Sequence, residues 1–257
     1  MRYVVLLTAF LALAACAPLS PPVPVELQEY AGILVGETRW SGDVVLAEDV
    51  IIPTGSTLTI LPGTRVFVRP SVSTKIEPEQ LSSATELLIR GRLIARGTSE
   101  EPIEFVVEGE HDISPAWAGI IADHSRSFVL DSVHVNRAEQ ALWLIASRVS
   151  VQNCDIWDSR YGMVFQQPGA SAIVGNRIFD GEAGIFCWKG ASPRLADNII
   201  SGHVEEGIFI DAASRPILQA NLIEGNGIGL VSADDGFIAD NTLKNNTVDT
   251  LLLGGAP

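Results

Sequence analysis

NRIFDGEAGIFCWKGASPRLADNIISGHVEEGIFI (residues 176–210) says one phrase twice: Asn, any residue, Ile, a short polar stretch, then Gly-Ile-Phe. The phrase continues in both directions. Asn176, Asn198, Asn221 and Asn241 are each followed two residues on by an aliphatic, Ile178, Ile200, Ile223 and Leu243, at intervals of 22, 23 and 20 residues. Cys154 stands in the same slot one copy earlier, two before Ile156. A second series keeps step: Ala141-Leu142-Trp143-Leu144, Gly162-Met163-Val164-Phe165, Gly184-Ile185-Phe186-Cys187, Gly207-Ile208-Phe209-Ile210 and Gly229-Leu230-Val231-Ser232. Self-similarity at a fixed period of this size marks a repeat architecture, and it decides the fold before any single element is assigned.

Within each copy the aliphatics alternate over a few residues and are then interrupted by Gly, Asn, Asp or Ser. That is a pattern of short strands and tight bends, with no amphipathic helical stretch. Three strands and three bends in about 22 residues make one rung of a right-handed parallel β-helix, each strand pairing with its counterpart one rung on at about 4.8 Å. The expected fold is therefore an all-β, single-stranded parallel solenoid. Bend geometry explains the constant phase of the Asn. Asn tolerates the left-handed backbone that a tight bend needs, and stacked amides can hydrogen-bond to one another up the pile. Each such bond contributes about 1 kcal/mol net, so the ladder mainly fixes register. A leucine-rich repeat shares the period and an Asn, but requires a Leu-x-x-Leu-x-Leu frame that this chain lacks.

The segments WSGDVVLAEDVIIPTGSTLTILPGTRVFV (40–68) and LLIRGRLIARGTSEEPIEFV (87–106) carry two further phrases: Pro-x-Gly-x-x-Leu-x-Ile-x-Pro-Gly-Thr at Pro53 to Thr64, and Gly-x-Leu-x-Ala-x-Gly-Thr at Gly91 to Thr98. These resemble the opening rungs of bacterial proteins in the pectate-lyase-like parallel β-helix superfamily. The later rungs resemble the right-handed repeats of the carbohydrate-binding and sugar-hydrolysis domain, found also in the periplasmic accessory protein for copper insertion into nitrous oxide reductase. The resemblance covers roughly residues 36–250. It implies the β-helix fold and says little of activity, because the superfamily holds lyases, hydrolases, epimerases and proteins with no known activity. Residues 70–86 and 107–116, polar and rich in Ser, Glu and Pro, are expected to protrude as loops between rungs.

The start of the chain carries a separate message. MRYVVLLTAFLALAAC (1–16) has a positive Arg2 and an apolar run from Val4 to Ala15, the length of a signal-peptide core and too short to span a bilayer. Leu13-Ala14-Ala15-Cys16 resembles the lipobox of bacterial lipoproteins, which implies cleavage before Cys16 and acylation of its sulfur. Two or more acyl chains anchor a protein stably in a bilayer. Ala17 is not the Asp of the inner-membrane retention signal, so the resemblance implies the outer membrane, on its periplasmic side or at the cell surface. The expected division is a signal peptide over 1–15, a lipidated, Pro-rich tether over 16–35 and a β-helix domain over 36–257, with residues 27–40 capping its first rung.

Composition narrows the partners. The 257 residues are 47% hydrophobic and 19% charged, enough for one sizeable core. With 17 basic and 31 acidic residues the net charge is −14, which repels nucleic-acid phosphates and anionic membrane surfaces.

Strand alternation sorts the side chains of the Gly-Ile strand. Met163, Ile185, Ile208 and Leu230 point inward, and so do Phe165, Cys187, Ile210 and Ser232. Trp143, Val164, Phe186, Phe209 and Val231 then form an outward row, with Ile145, Gln166, Trp188, Asp211 and Ala233 two residues further on. Trp143, Phe186, Trp188 and Phe209 are the candidate binding face, since so apolar a stripe does not face water uncovered. A sugar chain, an envelope protein, or the chain's own loop 107–117 carrying Trp117 would each cover it.

The same surface offers little for catalysis. A lyase needs several carboxylates to hold Ca²⁺ and a base, and a glycoside hydrolase needs two carboxylates about 5 to 10 Å apart. The row holds only Asp211, which Asp234 or Asp235 one rung on, or Glu205 or Glu206, could partner. A binding or structural scaffold without a cofactor is therefore expected, with a polysaccharide lyase, hydrolase or epimerase, Ca²⁺-dependent if a lyase, as the alternative. His111, His124, His134 and His203 fall in different rungs and suggest no metal cluster; His203 is expected at a loop tip. Cys154 and Cys187 are expected to be reduced packing residues. The C-terminal TVDTLLLGGAP has no evident cap, and its open rung is expected to be shielded by a partner or by self-association.

Overall fold

The protein is described by a computed structural model over residues 27–71, 81–109 and 115–254. The signal peptide, Cys16, residues 17–26 and His111 lie outside the described residues. The rest winds into about nine turns of an all-β parallel solenoid with no α-helix among them. A representative rung is Val149–Gln152, Asp155–Trp157 and Tyr161–Gln166, and these three strands belong to what are here called the first, second and third faces. Every strand pairs in parallel with its neighbour one rung away, as in Ile156 with Ile178 and Ile178 with Ile200.

Gln28–Ile33 already pairs with Asp43–Ile52, and Glu37–Trp40 with Thr57–Ile60. Solenoid pairing therefore begins inside the stretch expected to be tether, and residues 27–40 are the first rung rather than a cap laid over it. Trp40 anchors it: the side chain is wholly buried, and its ring packs against Tyr30 at 4.8 Å in a tilted pair.

The bends share a pattern. A residue with left-handed backbone commonly comes first, and where the residue after it is Ser, Asn or His, its side chain turns inward and bonds a neighbouring rung. Before the Asn ladder the left-handed residues are Asn153, Gly175, Asp197 and Ala220, with φ between 54° and 67°. The ladder Asn residues are thus not the left-handed ones, contrary to the bend argument; they are the inward residues that follow. Their amides stack as expected. Asn176 Nδ2 and backbone N both donate to Asn198 Oδ1 (2.9 and 3.0 Å), Asn198 donates likewise to Asn221 Oδ1, and Asn221 to Asn241 Oδ1. The same Nδ2 groups also reach the carbonyls of Val151, Ile173 and Leu195. Cys154 tops the pile, its backbone N–H donating to Asn176 Oδ1.

A second ladder at the bend between second and third faces runs through Ser159, His203, Asn226 and Asn246. The glycines that open the third-face strands are fixed by close approach. A Cβ on Gly184 would lie 2.3 Å from the carbonyl oxygen of Gly207 and 2.7 Å from Ile200 Cγ2.

Candidate ligand-binding face

The third face sets its side chains in rows because its strands pair without slippage from rung to rung. Trp143, Val164, Phe186, Phe209 and Val231 are consecutive cross-strand partners, and so are Ile145, Gln166 and Trp188. Their inward neighbours Met163, Ile185, Ile208 and Leu230 are wholly buried. The outward row extends further than the aromatic stripe: Ile51, Leu88 and Ile121 continue it toward the N-terminus, where with Ile145 they form a small apolar cluster of their own, packed against Trp143.

In the middle rungs the row becomes a patch of rings. Phe186 and Phe209 stack at 5.2 Å and 19°, Trp188 stacks on Phe186 at 5.6 Å and 16°, and Tyr161 meets Phe186 edge-on at 5.1 Å. Phe186 is nearly buried by its neighbours, whereas Trp188 is 40% exposed and leaves an open ring face at the surface. A hollow of about 280 Å³ beside it is lined by Gln140, Trp143, Val164, Gln166, Trp188 and Lys189. Trp143 Nε1 and Gln140 Oε1 are buried at this place with no hydrogen-bond partner among the described residues. Trp143 thus sits at the far side of the hollow from the Phe186–Phe209 stack rather than in it. Trp117 takes no part in covering the stripe: it is 1% exposed inside the solenoid, stacked on Phe105 at 5.8 Å, with Nε1 donating to the Asn136 carbonyl. Of the three coverings considered, the one in which Trp117 lies over the aromatic row is ruled out by its place in the core, where it packs on Phe105.

Asp211 is a bend residue. Its carboxylate accepts the backbone N–H of Lys189 (2.7 Å), whose φ is 53°, and those of Ala213 and Ser214. Burial pushes its pKa up, but these hydrogen bonds outweigh it and hold the group below the usual carboxylate range. Asp234 is engaged in the same way, accepting from Gly236 at the start of the short 3₁₀ turn Asp235–Phe237 in which Asp235 lies. Both oxygens of Asp211 are occupied by backbone, so neither Asp234 nor Asp235 meets a free carboxylate there.

Glu206 differs: half-buried, it is raised above the ordinary value by burial, with Glu205 and Glu182 adding to the rise. His203 is not at a loop tip but 3% exposed inside the second ladder, where Gly181 N–H donates to Nδ1 at 3.2 Å and Nε2 lies 3.2 Å from the Ile178 carbonyl. Cys187 lies in the core between Phe165 and Ile210, and both it and Cys154 are free and buried, with thiol pKa values pushed up by desolvation.

A profile of the family described as "Periplasmic copper-binding protein (NosD)" matches residues 86–253. The chain belongs to the NosD family. This places it in a periplasmic family of the cell envelope, on a β-helix of the kind the repeats imply. Among solved structures, a point mutant of the periplasmic alginate epimerase AlgG shares the fold with a TM-score of 0.52 at 12% identity, over 82% of this chain and 62% of that one. This NosD family member thus spans less than two thirds of the AlgG chain, and the likeness is one of fold. No curated protein matches it in sequence.

Proposed function

We propose that the protein is a lipid-anchored scaffold of the cell envelope whose third face binds a polysaccharide chain without transforming it. The observation that carries this reading is the outward ring stack of Phe186, Trp188 and Phe209, with Trp188 presenting an open face. Sugar rings offer C–H faces that lie flat on aromatic rings, and an exposed ring patch on a soluble domain marks a contact surface. The adjoining hollow supports the same reading, since Gln140, Gln166 and Lys189 can bond hydroxyls there and the unpartnered Trp143 and Gln140 atoms leave a donor and an acceptor to satisfy. Acylation at Cys16 would hold this face at the outer membrane. Cys16→Ser is then expected to shift the chain from the membrane to the soluble fraction of disrupted cells; unchanged membrane partitioning would refute the anchor.

The family's description names copper, and the described residues of this chain do not fit it. Copper favours sulfur and imidazole ligands. Here both thiols and the Met163 thioether are buried in the core, both His203 nitrogens are taken up by backbone, and His124 and His134 stand on different faces beside carboxylates. No metal or other cofactor enters the proposed reading. One observation favours the enzymatic alternative: Glu206, which opens the strand that carries Phe209, is a carboxyl held protonated more readily than usual, as a general acid would be. Asp211 cannot serve as its partner while three backbone N–H groups hold it.

The test is to titrate purified protein with envelope and plant polysaccharides while assaying for product. Binding without product is expected. Trp188→Ala should weaken that binding about tenfold with the unfolding temperature unchanged. Equal binding by the variant would remove the platform from the mechanism, and product formation abolished by Glu206→Gln would establish the enzyme instead.

A further inference from the structure

Two sets of arginines in this acidic protein contrast. On the second face and its bends they are paired: Arg65 with Asp43, Arg69 with Glu29 and Glu108, Arg160 with Glu139 and Glu182, Arg177 with Asp155. The guanidinium groups of Arg39, Arg92, Arg96, Arg126 and Arg148 have no hydrogen-bond or ion-pair partner among the described residues. All five lie on the first face or at its entry bend, in rungs near the N-terminal end, and all are exposed. Unpaired guanidinium groups repel one another, so gathering them in a chain of net charge −14 is unfavourable unless something anionic offsets it.

The register brings part of this group together. Arg92 is the cross-strand partner of Thr57 on one side and of Ser127 on the other. Between the pairs Ile89–Ala122 and Arg92–Ser127 the rung of Ser127 has two more residues than the preceding one, and this longer corner carries Arg126. The corner opens into a cavity of about 510 Å³, lined by Arg90, Arg92, Arg126 and His124 together with the hydroxyls of Thr57 and Ser127. Glu37 is the one carboxylate among its lining residues, and Asp123 reaches the group through Arg90. Arg90 is held by Asp123, which His124 also contacts at 2.6 Å, so one arginine is braced while Arg92 and Arg126 keep all their donors unspent.

We propose that this corner is a binding site for a phosphate-type oxyanion. Arg92 and Arg126 supply the forked N–H pairs that match such a group bidentately, and the two hydroxyls bond its remaining oxygens. Arg90, whose Nε is spent on Asp123, lines the same cavity. The anion is either the phosphate of a soluble molecule or that of a lipid headgroup. The site lies three to five rungs from the ring patch and is independent of the glycan reading.

The experiment uses the full chain carrying Cys16→Ser, so that acylation cannot itself drive membrane binding. Inorganic phosphate is titrated by calorimetry against chloride at equal ionic strength, and vesicles of phosphatidylcholine with and without phosphatidylglycerol are co-sedimented. Saturable phosphate binding is expected, weakened by about tenfold or more in Arg92→Ala/Arg126→Ala and unaffected by Trp188→Ala. If the double variant also loses the preference for phosphatidylglycerol vesicles, the source is a headgroup; if phosphate binding alone is lost, it is a soluble phosphate. Binding no tighter than chloride, or unchanged in a folded double variant, overturns the site.

Discussion

At position 203 an imidazole occupies the slot that Asn226 and Asn246 fill in the next two rungs. Because Gly181 N–H donates to Nδ1, the ring proton belongs on Nε2 and points at the Ile178 carbonyl. The ring is neutral, and burial lowers its pKa from 6.5 to about 4. The sign of the linkage follows. Below pH 6.5 the unfolded chain takes up a proton that the folded chain refuses until about pH 4, so stability is lost as pH falls through that window and is flat above it. The loss amounts to at most about 3 kcal/mol. His203→Asn keeps both bonds and has nothing to titrate, so its thermal unfolding between pH 6.5 and 4 should be flatter than that of the natural chain; an identical slope would place the sensitivity elsewhere. The first ladder was legible in the sequence because one residue type recurs at one period. This one was not, because Ser159, His203 and Asn226 share a position and an acceptor role but no chemical type, and Gly181 fills the same position with no side chain at all.

At the scale of the strand, alternation sorted inside from outside correctly. Once the rung length is known, side chains at even spacing share a face, and nothing in the register departs from that between Trp143 and Val231. What alternation could not supply is how much of an outward side chain remains at the surface. Phe186 and Trp188 point to the same side, yet stacking buries the first and leaves the second open. Asp211 is the same kind of case. Its outward place was readable, but its three backbone donors come from its own bend and from Lys189 in the preceding rung, a contact that exists only when the rungs are stacked. For this reason the ring patch, rather than the acids, is the element on which the binding test rests.

The whole molecule is a column with two ends. At the N-terminal end Tyr30 packs over Trp40. At the other, Val248–Leu252 pairs among the described residues with Ile228–Ser232 on one edge only, and Val248, Leu251, Leu252 and Leu253 are each about two-fifths exposed there. An unpaired, apolar strand edge is a template for another strand. We predict that two copies associate through this rung, giving concentration-dependent sedimentation that Leu251→Lys together with Leu253→Lys suppresses; a natural chain that stays monomeric at high concentration would show the end to be closed in some other way.

The sequence by itself determined the solenoid, its rung length, the Asn ladder and the facing of each row, because these depend on a period of about 22 residues and on the two-residue alternation of a strand. It also contained the start of the fold, Gln28–Ile33, although without a motif to announce it. Stacking of the rungs was needed to settle which arginines find carboxylates and that Arg92 and Arg126 stand unpaired at one cavity, which acid is consumed by a bend, and which aromatic ring stays open. Those outcomes are set by contacts between residues a rung or more apart in the chain, each depending on which neighbour the stacking happens to place beside it, and no local pattern carries that information.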